Sequence, residues 1–422
     1  MSSKPPTTQG AIRGAARLAV EATTGLTDLV EAMHQRIGSA PGATAADGRT
    51  SGITGLVYKS IRGVTKLVGG SVDGLLGLLE PLLAAQPKSG DGQNPARPPQ
   101  PQREAIVAAL NGVLGDHLAA THNPLATTMA LRHAGQPLLL NRAALQARFP
   151  NLNGRLIVLL HGLCMNDLQW LREGHDHGAA LAVELGATPL YLHYNSGLSI
   201  ADNGRQFASL MAQLLAAWPV PVEHLVLLAH SMGGLVARSA LGQALEAKQA
   251  WPKRVTDLVC LGTPHFGAPL ERAGHGVDML LGGAPYAAPL ARLGKVRSAG
   301  ITDLRHGRVR PVVAGGHATD AEVPLPLPTG PRCYAIAGCL GTSSKSLKAR
   351  LAGDGLVPVD SALGQHQDAT RTLHFAPERQ SVAQGVNHLA LLSDAGVYRQ
   401  LAAWLRPPKN SPIGGIRASH AD

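Results

Sequence analysis

The segment 225–238, Leu-Val-Leu-Leu-Ala-His-Ser-Met-Gly-Gly-Leu-Val-Ala-Arg, constrains this chain more than any other stretch. Its four leading apolar residues predict a strand buried on both faces, and from Gly233 onward the pattern is that of a packed helix. The chain must turn sharply between them, and Ser231 occupies the turn. Ala229 and Gly233 flank it, because so tight a turn brings backbones too close for bulky side chains. A small-x-Ser-x-Gly pentapeptide in this setting is a nucleophile elbow, with alanine replacing the first glycine. The turn lifts the serine Oγ above the sheet and places the positive end of a helix beneath it. A structural serine among small neighbours is the alternative. The buried strand and the Gly233-Gly234 pair speak against it.

Around this segment, strands and helices alternate. Strands are expected at 156–160, 189–194, 225–230, 255–262, 333–337 and 372–375. Helices are expected at 167–185, 203–218, from the elbow to about 247, and at 389–405, with a short hairpin around 134–137. This is an α/β pattern: a mostly parallel sheet with helices on both faces. With 422 residues, 45% of them hydrophobic and 16% charged, the chain can bury such a core. The alternation lapses between 269 and 332, in a segment rich in Gly and Pro. A loop this long inside a compact domain usually carries function. Residues 270–331 are therefore expected to form a cap or lid insertion, with apolar residues around Met279, Leu281, Leu325 and Leu327 facing a hydrophobic ligand.

Residues 1–103 read as an N-terminal helical extension, amphipathic and joined by flexible linkers. Apolar positions at steps of three and four predict helices over 12–37 and 53–79, and the second carries a stripe of Lys59, Arg62 and Lys66. That stripe fits peripheral membrane contact through 53–83. The favoured alternative is a solvated face on a helix packed against protein, as amphipathic helices usually find a protein partner. A helix over 104–118 opens the main domain, 104–405, and 406–422 is expected as a disordered tail. The net charge is +10, but the basic residues are scattered and aromatic content is 3%, so no nucleic acid partner is expected. No leader-like N-terminus and no bilayer-length apolar run is visible, which points to a cytoplasmic protein, at most peripheral to a membrane. Cys164, Cys260, Cys333 and Cys339 read as reduced, buried thiols. Oligomeric state is not legible.

In an open parallel sheet, ligands bind beyond the carboxyl ends of the strands. Three further stretches fall there. His161-Gly162-Leu163 follows a buried strand, so His161 and Gly162 are expected to border the substrate, the His161 side chain having no catalytic task. The backbone N–H groups of Leu163 and Met232 would then receive an oxyanion. Gly353-Asp354-Gly355 offers a carboxylate, with a plain Asp-Gly turn as the alternative and Asp360, which reads as a helix cap, as the rival acid. His388 lies beyond the last expected strand and is the candidate base. His374 falls inside the expected strand 372–375 and should pack under a helix, while His366 should lie at the wrong end of the sheet. The order Ser231, Asp354, His388 is nucleophile, acid, base. His175-Asp176-His177 invites a metal, but nothing pairs with it at ligand spacing and it reads as a solvated helix face. No phosphate loop or dinucleotide fingerprint follows a strand, so neither metal nor cofactor is expected.

Ala229-His-Ser-Met-Gly-Gly234, His161-Gly162, Leu261-Gly-Thr-Pro-His265 and Gly353-Asp-Gly-Leu-Val-Pro358 together resemble serine lipases and esterases of the α/β-hydrolase fold. The Ala-His-Ser-Met-Gly form is similar to small bacterial lipases. Gly262–Pro269 is similar to the branch that includes GPI inositol-deacylase-like proteins. The resemblance covers about 129–405 and implies carboxylic-ester hydrolysis of a hydrophobic acyl ester through a Ser231-Asp354-His388 triad. It leaves 1–103 unaccounted for, and the segment after Pro269 departs from the lidless small lipases. Acyl transfer on the same triad, and a non-catalytic membrane- or partner-binding adaptor, are the alternatives.

Overall fold

The computed structural model describes residues 101–268, 298–310, 325–341 and 347–406. The amphipathic helices expected before residue 100, most of the expected cap and the expected tail lie outside these residues. The described chain opens on helix α1 (Pro101–Ala120), three residues before its expected start. It continues through a hairpin of β1 (Ala130–His133) and β2 (Gln136–Pro137), helix α2 (Arg142–Arg148) and strand β3 (Arg155–Leu160). There follow α3 (His177–Leu185), β4 (Thr188–His193), α4 (Ile200–Ala217), β5 (His224–His230), α5 (Met232–Glu246) and β6 (Val255–Leu261). The last part comprises α6 (Ala299–His306), β7 (Arg332–Cys339), α7 (Leu347–Ala352), α8 (Val359–Ala362), β8 (Gln380–Gln384) and α9 (Ala395–Leu405).

The strands form one sheet in the order β2-β1-β4-β3-β5-β6-β7-β8. The β1 strand runs antiparallel to β4, and every pair from β4 to β8 is parallel. Period-2 alternation sorts the strand residues into two cores. Leu156, Val158, Leu160, Leu225, Leu227 and Ala229 face α4 and α5 residues such as Phe207, Met211 and Leu235. Ile157, Leu159, Val226 and Leu228 face the other way, toward Leu181, Leu391 and Leu401. Both faces are covered, which is why the strands read as unbroken apolar runs. Among the described residues no helix is long and apolar enough to cross a membrane.

Three expectations fail locally. The helix over 167–185 is two pieces: a 3-10 turn at Asp167–Trp170, then α3. Between them Glu173 and Gly174 take positive φ and Arg172 bridges to His175, and Asp176 caps α3 by accepting from the Ala179 N–H. The helix over 389–405 is likewise interrupted. A 3-10 turn at Ala390–Leu392 stops before Asp394, whose side chain caps α9 through the Val397 N–H. Residues 372–375 are not a strand: Leu373 and Phe375 are buried in the core as an irregular segment, and the last strand is β8. The four cysteines are free and buried, as expected.

Candidate active site

Ser231 joins β5 to α5 with φ +54° and ψ −124°, a conformation that costs a non-glycine residue about 1–3 kcal/mol. Strain of this kind is what a sharp strand-to-helix turn imposes on an elbow serine. The turn is held by the Ser231 N–H donating to the carbonyl of Leu261 at 2.8 Å. A Cβ on Gly233 would lie 2.5 Å from the carbonyl oxygen of Leu160 and 2.7 Å from that of His161. Only glycine lets α5 start so close to the end of β3.

Asp354 follows β7 in a tight turn whose carboxylate is fully engaged. Its Oδ1 accepts from the N–H groups of Leu356 and Val357 at 2.9 and 2.8 Å. Its Oδ2 accepts from Nδ1 of His388 at 2.7 Å, and both side chains are shielded from solvent. His388 follows β8, and its backbone N–H donates to the carbonyl of Asp354 at 3.0 Å. A Cβ on Gly262, at the end of β6, would come within 3.1 Å of both Asp354 Oδ2 and His388 Nδ1. The pair therefore sits directly over the strand next to the elbow. The serine, imidazole and carboxylate stand at the same rim of the sheet.

His161 and Gly162 follow β3 and press against the elbow, since a Cβ on Gly162 would lie 3.1 Å from Cβ of Ser231. Met232 is the first helical residue of α5, so its N–H has no acceptor within the helix. Among the described residues neither Leu163 nor Met232 donates its N–H to a protein group.

The rejected candidates are placed differently from their sequence readings. Asp360 is not a cap but pairs with Arg350 at the surface. His374 is exposed rather than packed under a helix. His366 packs its ring against Phe266, 4.9 Å away, in the loop after β6, and so does not lie at the far end of the sheet. His175-Asp176-His177 is no solvated face: His177 is fully buried and bonds His175 at 2.8 Å and the carbonyl of Leu391 at 3.0 Å. Asp176, besides capping α3, accepts from the Tyr191 hydroxyl. No group of three or more metal-ligating side chains is found among the described residues.

Residues 205–306 match the family model of the PGAP1-like alpha/beta domain. The matched stretch holds Ser231 and Gly262-Thr-Pro-His265, and it agrees with the branch those residues resemble. With the elbow after β5 and the parallel sheet around it, the fold is that of an α/β-hydrolase. A search of curated proteins finds no match. Among solved structures, the mature Bacillus licheniformis lipase BlEst2 is 17% identical, with 65% of this chain and 98% of that one covered at a TM-score of 0.37. The esterase from the archaeon Pyrobaculum calidifontis is 16% identical, with 78% and 96% covered at 0.40. Phospholipase PlaB from Legionella pneumophila is 14% identical, with 60% and 58% covered at 0.39. All three are distant likenesses.

Two residues of the site went unread in the sequence. His230, immediately before the serine, donates through Nε2 to the carbonyl of His388 at 3.0 Å. Tyr194, at the end of β4, donates to the carbonyl of His161 at 2.8 Å. A buried polar residue beside a strand end was the available signal in each case.

Proposed function

We propose that this chain is a carboxylic-ester hydrolase that works through an acyl-enzyme on Ser231. The observation that carries the reading is the buried His388–Asp354 pair at the same rim as a serine held at positive φ. Asp354 fixes the proton of His388 on Nδ1, which leaves Nε2 to take the serine proton. The Ser231 oxygen attacks the ester carbonyl, and its proton passes to His388. The tetrahedral oxyanion is received by the N–H groups of Leu163 and Met232, and each such donor is worth roughly 3–4 kcal/mol. His388 then protonates the departing alcohol. Water attacks the acyl-enzyme by the same route in reverse, releasing the acid and restoring the hydroxyl.

A hydrophobic acyl group fits the surroundings best, because Leu163, next to the Gly162 that presses on the elbow, is only partly buried against the core. The test is hydrolysis of p-nitrophenyl esters from acetate to dodecanoate by full-length protein and by Ser231→Ala. Turnover by the wild type that vanishes in the variant supports the reading, and a rate rising with chain length supports a lipid-like acyl group. Equal turnover by the variant would overturn it.

A further inference from the structure

The turn after β3 is pinned by two hydrogen bonds and one ring stack. Tyr194 Oη donates to the carbonyl of His161, and His161 Nδ1 donates to the carbonyl of Gly162 at 2.9 Å. The imidazole lies on the Tyr194 ring with centroids 4.2 Å apart and planes 20° from parallel. Neither ring reaches solvent: His161 is 0% and Tyr194 2% exposed. A carbonyl only accepts, so the proton of His161 sits on Nδ1. Its Nε2 is then a bare acceptor, buried with no partner among the described residues. Burial pushes the imidazole down to about 3, so it stays neutral.

The carbonyl of Gly162 and the N–H of Leu163 belong to one planar trans peptide unit and point in opposite directions. Whatever fixes the carbonyl therefore fixes the N–H. At this position that matters, because a Cβ at residue 162 would crowd Cβ of Ser231 at 3.1 Å, and the glycine found there leaves its flanking peptides free to rotate. The closeness to the elbow and the looseness of the peptide have one cause, and the His161 side chain removes the looseness.

We propose that His161 is a positioning residue: by holding the Gly162 carbonyl it sets the direction of the Leu163 N–H before the ester arrives. The proposal rests on the ester-hydrolase reading above. It gives the His161 side chain a task that the sequence alone did not suggest.

The test compares kcat and KM for p-nitrophenyl acetate in the full-length wild type, His161→Phe and His161→Asn. Phenylalanine keeps a flat ring against Tyr194 and lacks the donor, whereas asparagine keeps an N–H on a shorter arm. His161→Phe is expected to lose about 10²–10³-fold in kcat, the cost of an oxyanion donor, with KM moved less than about threefold. His161→Asn should recover at least about tenfold of that loss. If His161→Phe does not fold, by near-ultraviolet circular dichroism, His161→Leu replaces it as the variant without a donor. A donor-less variant with wild-type kcat, or asparagine and donor-less variants equally impaired, would overturn the role of His161 alone. A folded wild type with no turnover would instead bring down the hydrolase reading, and this inference with it.

Discussion

The imidazole of His230 donates through Nε2 to the backbone carbonyl of His388, 3.0 Å away across 158 residues of chain, and the two rings lie 4.7 Å apart. The residue before the elbow serine thus holds the backbone of the candidate base. With the His388 N–H on the carbonyl of Asp354, both peptide groups of the base are committed. Burial first, and the nearby His388 second, keep the His230 imidazole well below its ordinary pKa, so it remains a neutral donor.

His230→Leu removes that hold and leaves the His388 carbonyl without its donor. A buried acceptor so stranded costs about 1–3 kcal/mol, or roughly 5- to 150-fold in kcat/KM if the loss falls on the base's position. His230→Gln, which retains an N–H, should recover part of it. Steady-state kinetics with p-nitrophenyl esters decide; unchanged kcat/KM in His230→Leu would show that the contact is incidental.

Asp354→Asn should inactivate without unfolding. The two N–H groups on Oδ1 would keep the amide oxygen where it is, and so turn the amide nitrogen toward His388. His388 Nδ1 must then accept, its proton moves to Nε2, and the base can no longer take a proton from the serine. A fall of about 10⁴-fold in kcat is expected, as for the same change in a serine protease triad. Kinetics and thermal unfolding together check this, and activity within tenfold of wild type would contradict it.

Gly262→Ala tests the closeness of strand and dyad. The new methyl would meet Asp354 Oδ2 and His388 Nδ1 at 3.1 Å and Leu391 at 2.8 Å, on a backbone at φ +55°. Strain and displacement together should cost about 1–3 kcal/mol in stability, readable as a lowered urea midpoint, with kcat reduced at least about tenfold. A silent substitution would mean that the dyad has room to spare.

Acid should destabilise this fold steeply. Burial pushes His161 down to about 3 and His177 to about 4, and holds His230 and His265 well below their ordinary value. The unfolded chain protonates these residues near pH 6.5, so below that pH it binds up to four protons that the folded chain does not. Asp303 acts oppositely: burial pushes it up to about 6, so the folded chain holds one proton that the unfolded chain releases above about 4. The balance is up to three protons, and stability should fall by as much as roughly 4 kcal/mol per pH unit between pH 6.5 and 4. Urea unfolding at pH 7, 6 and 5 measures the slope, and a flat profile would contradict it.

The parts of the fold that announce themselves in sequence are those buried on both faces. Strand β5 and its neighbours could only be apolar runs, and the elbow needs small residues around Ser231, so both are legible. Strand β8, Gln-Ser-Val-Ala-Gln, lies half-exposed at the sheet edge and has no apolar face to read. The alternation of Leu373, His374 and Phe375 imitated a strand instead, because two side chains of an irregular segment fill the core in front of an exposed one.

The same logic separates the site residues. Flanking glycines make Asp354 and His388 legible as candidates, although His388 is read against 372–375, which is not a strand, and in the structure it follows β8. The work of His161, His230 and Tyr194 is not legible, since it consists of hydrogen bonds to backbone carbonyls that any local pattern leaves unspecified. The break in the helix over 167–185 is present in the sequence as Gly174 followed by the cap Asp176.

The most direct measurement is mass spectrometry of full-length wild type and His388→Ala after treatment with a fluorophosphonate. The wild type should carry one phosphonyl group, on the peptide containing Ser231, and the variant should acquire it at least about 10³-fold more slowly. A folded wild type that takes up no label on Ser231, or a His388→Ala protein labelled as fast as the wild type, would contradict the triad.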